Sequence, residues 1–161
     1  MSRSMNAEAK IWTNKVQKTF ETYSRKDRRA VMIRAAKPLI KAARSRVPKG
    51  TRKHQRGSGA DRIVYNPGNL RRSIGRIPIR RLVDAIVGPR FAKKKVAEYG
   101  GVGQPTDGYY AHMLFGGAKQ FKAVVMDPAL ASSKLEIISI VEKGTRKSIK
   151  RRARQNGIST R

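Results

Sequence analysis

Asn66-Pro67-Gly68 constrains the path of this chain more tightly than any other three residues. Pro67 fixes φ near −65°, the value wanted at the second position of a turn, and Gly68 supplies the positive φ that a type II turn needs at its third. After the turn, Leu70, Arg72, Ile74 and Arg76 alternate and lead through Ile77 and Ile79. This pattern predicts a β-strand over 69–80 with imperfect alternation. A second candidate strand, 82–88, follows closely enough to make a hairpin through Arg80-Arg81. The distant aromatic segment from Tyr109 to Phe115 reads as a third strand, and residues 121–126 as a weaker one. Nothing in these segments is catalytic in type; they are architectural.

Helices flank this region. Trp12, Val16, Phe20 and Tyr23 fall on one stripe of a first helix over 7–24, and Ser24 to Asp27 can end it and cap the next. Over 28–46 a second helical pattern carries Met32, Ala35, Ala36, Leu39 and Ala43 on one side. Pro38 lies inside it, so that helix either kinks there or is two shorter pieces. Val47-Pro48-Lys49-Gly50 closes the pattern. Residues 51–60 lack apolar periodicity and read as a mobile basic loop, and 89–107 as another long loop with Lys93-Lys94-Lys95 and Gly100-Gly101-Val102-Gly103. Asp127-Pro128 marks a helix start. That helix should run to about residue 154, bury Ala131, Leu135, Ile138 and Val141, with Leu130 and Ile137 beside them, and stop near Gly157. Helices, then strands, then a helix, without βαβ alternation, predict an α+β fold: N-terminal helices, a small mainly antiparallel sheet with a long hairpin, and a C-terminal helix packed on it. The expected division is an N-terminal helical extension over 1–27, a core over 28–143 with a flexible basic loop at 49–64, and a basic C-terminal extension over 144–161.

Charge sets the second constraint. The chain has 161 residues, of which 38 are Lys or Arg and only 10 are Asp or Glu, for a net charge of +28. The excess is spread over the whole length and is heaviest in the amino-terminal third. Such a particle repels itself and calls for a polyanionic or acidic partner, with nucleic acid the default. Aromatic residues do not interleave with the basic runs as stacking platforms for single strands require. Any nucleic-acid contact should therefore be backbone-directed and sequence-independent. The absence of cysteine removes disulfides and thiolate metal sites. No apolar run approaches the ~20 residues of a membrane span, and the first residues lack a signal-peptide pattern. A soluble protein made in a cytoplasm is expected.

Catalysis finds little support. His54 and His112 are the only histidines and the ten acids are scattered. No spacing matches a zinc site, a nucleophile elbow or a P-loop. No catalytic, cofactor-binding or metal residue is expected, and an enzyme such as a nuclease is a distant third possibility. The candidate interface or DNA-facing residues are Arg71, Arg72, Arg80, Arg81, Lys93, Lys94, Lys95, Arg146, Lys147, Lys150, Arg151 and Arg152. The candidate architectural residues are Pro67 and Gly68 for the turn, Leu70 and Ile74 for the hairpin core, Tyr110 and Phe115 for the sheet face, and Pro128 for the last helix.

Four segments in order, Arg46-Val47-Pro48, Gly68-Asn69-Leu70-Arg71-Arg72-Ser73-Ile74, Tyr110-Ala111 with Phe115-Gly116-Gly117, and Met126-Asp127-Pro128-Ala129-Leu130, cover about 30–142. In this order the chain resembles the neck or tail-completion proteins of long-tailed phages, as a divergent member. Pro67 stands where the family pattern has Thr, Leu114 where it has an acid, and Gly117 where it has Thr. The resemblance implies a non-enzymatic virion subunit, made in the host bacterial cytoplasm, that assembles into a homo-oligomeric ring joining head to tail and lining the DNA passage. Its partners would be portal, adaptor and tail proteins and the DNA in the channel, with no membrane. The alternative is a stand-alone, sequence-independent nucleic-acid-binding protein, ribosome-associated or DNA-packaging.

Overall fold

A computed structural model describes residues 10–18, 24–78, 85–92 and 95–158. Residues 10–18 are helical (α1). Helix α2 spans Arg25–Arg46. Strands β1 (His54–Arg56) and β2 (Ile63–Tyr65) flank a single 3-10 turn at Gly59–Asp61. The short helix α3 (Asn69–Ser73) leads into β3 (Ile74–Ile77), followed by β4 (Ile86–Pro89) and β5 (Glu98–Tyr99). Short helices α4 (Ala111–Leu114) and α5 (Ala118–Phe121), a π-helical turn (Lys122–Met126) and the long helix α6 (Asp127–Gln155) complete the order. The fold is α+β.

The sheets are small. β1 pairs antiparallel with β2, placing His54 opposite Tyr65, and β2 pairs parallel with β5, placing Tyr65 opposite Tyr99. β3 and β4 form a separate antiparallel pair in which Ile74 faces Pro89 and Ile77 faces Ile86. The expected hairpin pairing is therefore present, while its tip at 79–84 lies outside the described residues. β1 lies within the stretch read as a structureless basic loop, and β5 within the long loop after β4. Each is too short to leave a periodic signal and takes its conformation from pairing with β2.

Three expected strands are corrected. The turn is as foreseen: Gly68 has φ 76° and ψ 4°, and the Asn69 N–H donates to the Asn66 carbonyl at 3.0 Å. It feeds a helix, however, since Asn69–Ser73 is α3 and the strand begins only at Ile74. Leu70 and Ser73 stand three apart, so the single turn of α3 buries both, and Ile74, the first strand residue, is buried beside them. Tyr109 to Phe115 is not a strand either: Ala111–Leu114 is α4, and Ala111 and Phe115 both turn toward the core. Residues 121–126 are helical throughout, because Phe121, Val125 and Ala129 are four apart and all buried. Asp127 consequently opens no new helix. The chain is already helical from Ala118, and the Asp127 N–H donates to the Lys122 carbonyl five residues back. Such a wide turn gives room to Pro128, which has no N–H to offer and whose ring crowds the carbonyl four residues earlier.

The helix ends follow local rules. Ser24 caps α2: its Oγ accepts from the Asp27 N–H at 3.2 Å and donates to Asp27 Oδ2 at 3.1 Å. α2 then runs unbroken through the buried Pro38, so it is one helix and not two pieces. Val47, extended before Pro48, ends it and is buried. At the far end the Gly157 N–H reaches the Arg154 carbonyl and the Ile158 N–H the Ala153 carbonyl, a Schellman stop with Gly157 at φ 71°. Expected boundaries at 27/28 and 143/144 both fall inside helices. Gly144, Ser148 and Ala153 are buried, so the carboxyl-terminal turns of α6 belong to the packed body.

One core holds these parts together. Ala43, Val47, Leu70, Ile74, Ala111, Phe121, Val125 and Ala129 form a buried cluster, with Leu39, Ala42, Val87, Phe115 and Met126 around it. Full burial of side chains such as Ile74 and Val125 contributes roughly 1.5–3 kcal/mol each. The largest contact between elements is α2 on α6. Its α6 side is a row of small residues, Ala129, Ser133, Gly144 and Ser148, against Val31, Ala35, Ala36 and Ala43 of α2. A Cβ added at Gly144 would stand 3.0 Å from Val31 Cγ1. The buried stripe expected on α6 is thus the wrong one: Ala131, Leu130, Leu135 and Ile138 are exposed, Leu135 at 83%, and only Ile137 and Val141 are half-buried. Small side chains let the two backbones approach, and Leu130, Leu135 and Ile138 are left outward. On α1, Trp12 is exposed and Val16 half-buried, while Phe20 and Tyr23 lie outside the described residues.

Candidate functional site

Two surfaces stand out, one cationic and one apolar. The cationic one is a cleft of about 810 Å³ between α2 and the last turns of α6. Arg34 of α2 and Lys143, Arg146, Lys147, Lys150, Arg151 and Arg154 of α6 line it with Ser148 and Gln155, and among the described residues no acid takes part. The α6 cations recur at steps of three and four, which stacks them along one face of the helix.

Asp27 lies at the edge of this region and is covered by two arginines. Arg152 donates to its Oδ2 from Nε at 3.0 Å and from Nη2 at 2.9 Å, and Arg151 Nη2 donates to Oδ1. Burial alone pushes the Asp27 carboxyl up, but hydrogen bonds from Arg152 and Ser24 and the charges of Arg152 and Arg151 outweigh it and hold the carboxyl below its ordinary value. A carboxyl lowered in the fold stabilises above its unfolded pKa, and that stabilisation disappears as pH falls through the folded one. Asp27→Asn should cost about 2 kcal/mol near neutral pH, with the better-covered Arg152 responsible for more of it than Arg151. Urea unfolding at about pH 7 and about pH 3 checks this: the gap between variant and parent closes in acid, and a gap that persists undiminished would assign the effect to packing.

The expected site residues divide as follows. Arg146, Lys147 and Lys150 meet in the cleft, and Arg151 lines it while its Nη2 donates to Asp27 Oδ1. Arg152, expected to face a neighbour or DNA, is turned inward onto Asp27. Arg72 is also committed within the chain: its Nη2 donates to the Pro67 carbonyl at 3.1 Å and to the Gly100 carbonyl, tying the turn to the glycine-rich loop. Arg71 is half-buried in a shallow depression beside Lys37, Lys41 and Arg44. Lys95 is exposed in a cleft near Arg56, Asp61 and Arg62. Arg80, Arg81, Lys93 and Lys94 lie outside the described residues, as does the side chain of His112. Sequence reading missed Arg34 and Lys143 as members of the cleft, since only the α2–α6 crossing brings Arg34 to α6.

Of the architectural residues, Leu70 and Ile74 are core, Phe115 packs edge-on against Phe121 with ring centroids 5.2 Å apart, and Pro128 follows the π-helical turn. Tyr110 meets the sheet from α4's N-terminal end, its ring 4.4 Å from Tyr65 and 5.7 Å from His54. Burial pushes the Tyr110 hydroxyl up, and burial, then the Asp107 charge, pushes Tyr65 up to about 12. This aromatic group is therefore neutral packing. One buried polar pair also escaped the sequence: Asn69 Nδ2 donates to the Asp107 carbonyl at 2.7 Å, and the Asp107 N–H donates to Asn69 Oδ1 at 2.9 Å.

The apolar surface is the outward face of α6, Leu130, Leu135 and Ile138, with Val124 on the preceding turn; Phe91 is exposed after β4. Among the described residues no group of three His, Cys, Asp or Glu side chains is placed to hold a metal, and no helix is long and apolar enough to cross a membrane. In comparisons with protein-family models, curated proteins and solved structures, nothing matches the chain.

Proposed function

We propose that this chain is a structural, non-enzymatic subunit of a ring in the neck or tail-completion region of a long-tailed phage virion, joining head to tail and lining the DNA passage. The observation that carries the reading is where the four family-like segments go. Val47, Leu70 with Ile74, Ala111 with Phe115, and Ala129 come from all four and meet in one core cluster. Residues far apart in sequence that share one core are what a common subunit fold requires. The apolar face of α6 adds support, because Leu130, Leu135 and Ile138 in water call for a covering neighbour. A closed ring joins two unlike faces of successive copies, and we assign one of them to this stripe.

Native mass measurement of the full chain with portal and tail proteins is expected to show one closed, symmetric oligomer. Leu135→Glu with Ile138→Glu should abolish it while leaving the helical signal and the monomer's melting unchanged, since both side chains already face solvent. A chain that stays monomeric with every such partner and never enters a particle would overturn the reading. A second reading, a stand-alone sequence-independent nucleic-acid-binding protein, is favoured by the cationic cleft; it requires tight binding by the monomer and no ring.

A further inference from the structure

We infer that the cleft between α2 and the end of α6 is a binding site for the phosphate backbone of duplex DNA, read without regard to sequence. The inference stands apart from the ring reading, because every residue it needs lies on one copy of the chain. Lys143, Arg146, Lys147, Lys150 and Arg154 form a row on α6. From Lys143 to Arg154 the helix rises roughly 16 Å, with neighbours three or four residues apart about 5–6 Å from one another. Each strand of a duplex carries one phosphate per roughly 3.4 Å of axis, so a helix face of that length meets a dense and regular line of negative charge. Arg34 supplies a cation from the opposite wall, and its Nε–H is directed to the Ala30 carbonyl at 3.4 Å, which steadies the side chain.

Three features select the ligand. Among the described residues no carboxylate lines the cleft, and Asp27 beside it is paired with Arg151 and Arg152. Cations gathered this closely repel one another, and a polyanion relieves that repulsion. Among the described residues no aromatic side chain lines the cleft, so none of them offers the stacking that holds single strands. A row of cations along one helix face suits the regular charge of a nucleic-acid backbone better than the irregular carboxylates of an acidic protein.

The test is binding of the full chain to a random-sequence DNA duplex across a salt series. The cleft variant changes Lys143, Arg146, Lys147 and Lys150 to Gln. The control variant changes the exposed Lys53, Lys119, Lys122 and Lys134 to Gln and so loses the same charge elsewhere. Wild type should bind with a steep inverse salt dependence. The cleft variant should lower the slope of log affinity against log salt by about 3 to 4, roughly one per lost contact, while the control changes it far less. Native mass of both variants separates this result from any change in assembly. Lysine acetylation of the unaltered protein gives a reading independent of variant folding: bound duplex should shield Lys143, Lys147 and Lys150 and spare Lys119 and Lys122. Equal loss in the two variants, or no selective shielding, would overturn the inference in favour of diffuse charge. Preference for polyglutamate over duplex at matched charge would overturn it in favour of an acidic protein.

Discussion

Gly144→Leu is expected to be among the most damaging single substitutions in this protein, lowering stability by about 3 kcal/mol or more. Even the first carbon of the new side chain would meet Val31 Cγ1 at 3.0 Å and Cγ2 at 3.1 Å, with no room to turn away because α2 lies across that face. The remaining three carbons would have to part α2 from α6, which opens the largest contact in the fold. Native domains have only about 5–15 kcal/mol in hand, so the loss should appear as a lower urea midpoint and a lower melting temperature. Val31 is the residue in the way, and Val31→Ala should recover part of the loss in the double variant. The two substitutions should therefore couple rather than add. A Gly144→Leu protein as stable as the parent, or full additivity with Val31→Ala, would show that the helices do not cross as closely as described.

Asn69→Leu should cost about 3 kcal/mol for a different reason. The new side chain is close in size, so packing changes little, but Asp107 loses both partners of its buried N–H and carbonyl at once. Buried backbone groups left without partners lose their hydration and gain nothing in exchange. Asn69→Asp keeps the acceptor for the Asp107 N–H but sets a buried carboxylate oxygen against the Asp107 carbonyl, so it too should be clearly less stable than the parent near neutral pH and recover in acid, where a protonated carboxyl can donate. Urea unfolding of the three proteins gives the order. Hydrogen exchange should locate the damage, with the Asp107 and Ala92 amides losing protection first, because Asp107 Oδ1 in turn accepts from the Ala92 N–H. If the Leu variant matched the parent in stability, the clamp would be ornamental and the loop around Asp107 would be held by other contacts, such as the Gly108 N–H to the Arg90 carbonyl.

Much of the fold follows from local chemistry. The type II turn at Asn66–Asn69, the Ser24 cap, the Gly157 stop and the hairpin pairing of β3 with β4 all rest on residues whose conformational preferences act within a few positions. The charge and the lack of cysteine are likewise properties of composition. Where the sequence reading failed, two periods competed. Leu70, Arg72 and Ile74 alternate as a strand would, yet Leu70 and Ser73 fit one helical turn equally well. The core around Ile74 takes the second arrangement because it buries Ser73 with its hydroxyl bonded to the Leu70 carbonyl at 2.7 Å.

α6 marks the limit most clearly. Its sequence determines a long helix with one aliphatic face, one small-residue face and one basic end, and nothing in the residues alone says which face is covered. Tertiary structure decides it through α2: Val31, Ala35, Ala36 and Ala43 present a surface that a row of Ala, Ser and Gly can approach closely, and dispersion rewards that approach. Leu130, Leu135 and Ile138 are left outward for a neighbour, and the basic end is brought beside Arg34 to make the cleft. Helical periodicity tells which residues travel together, and only the shape of the partner surface tells where they go.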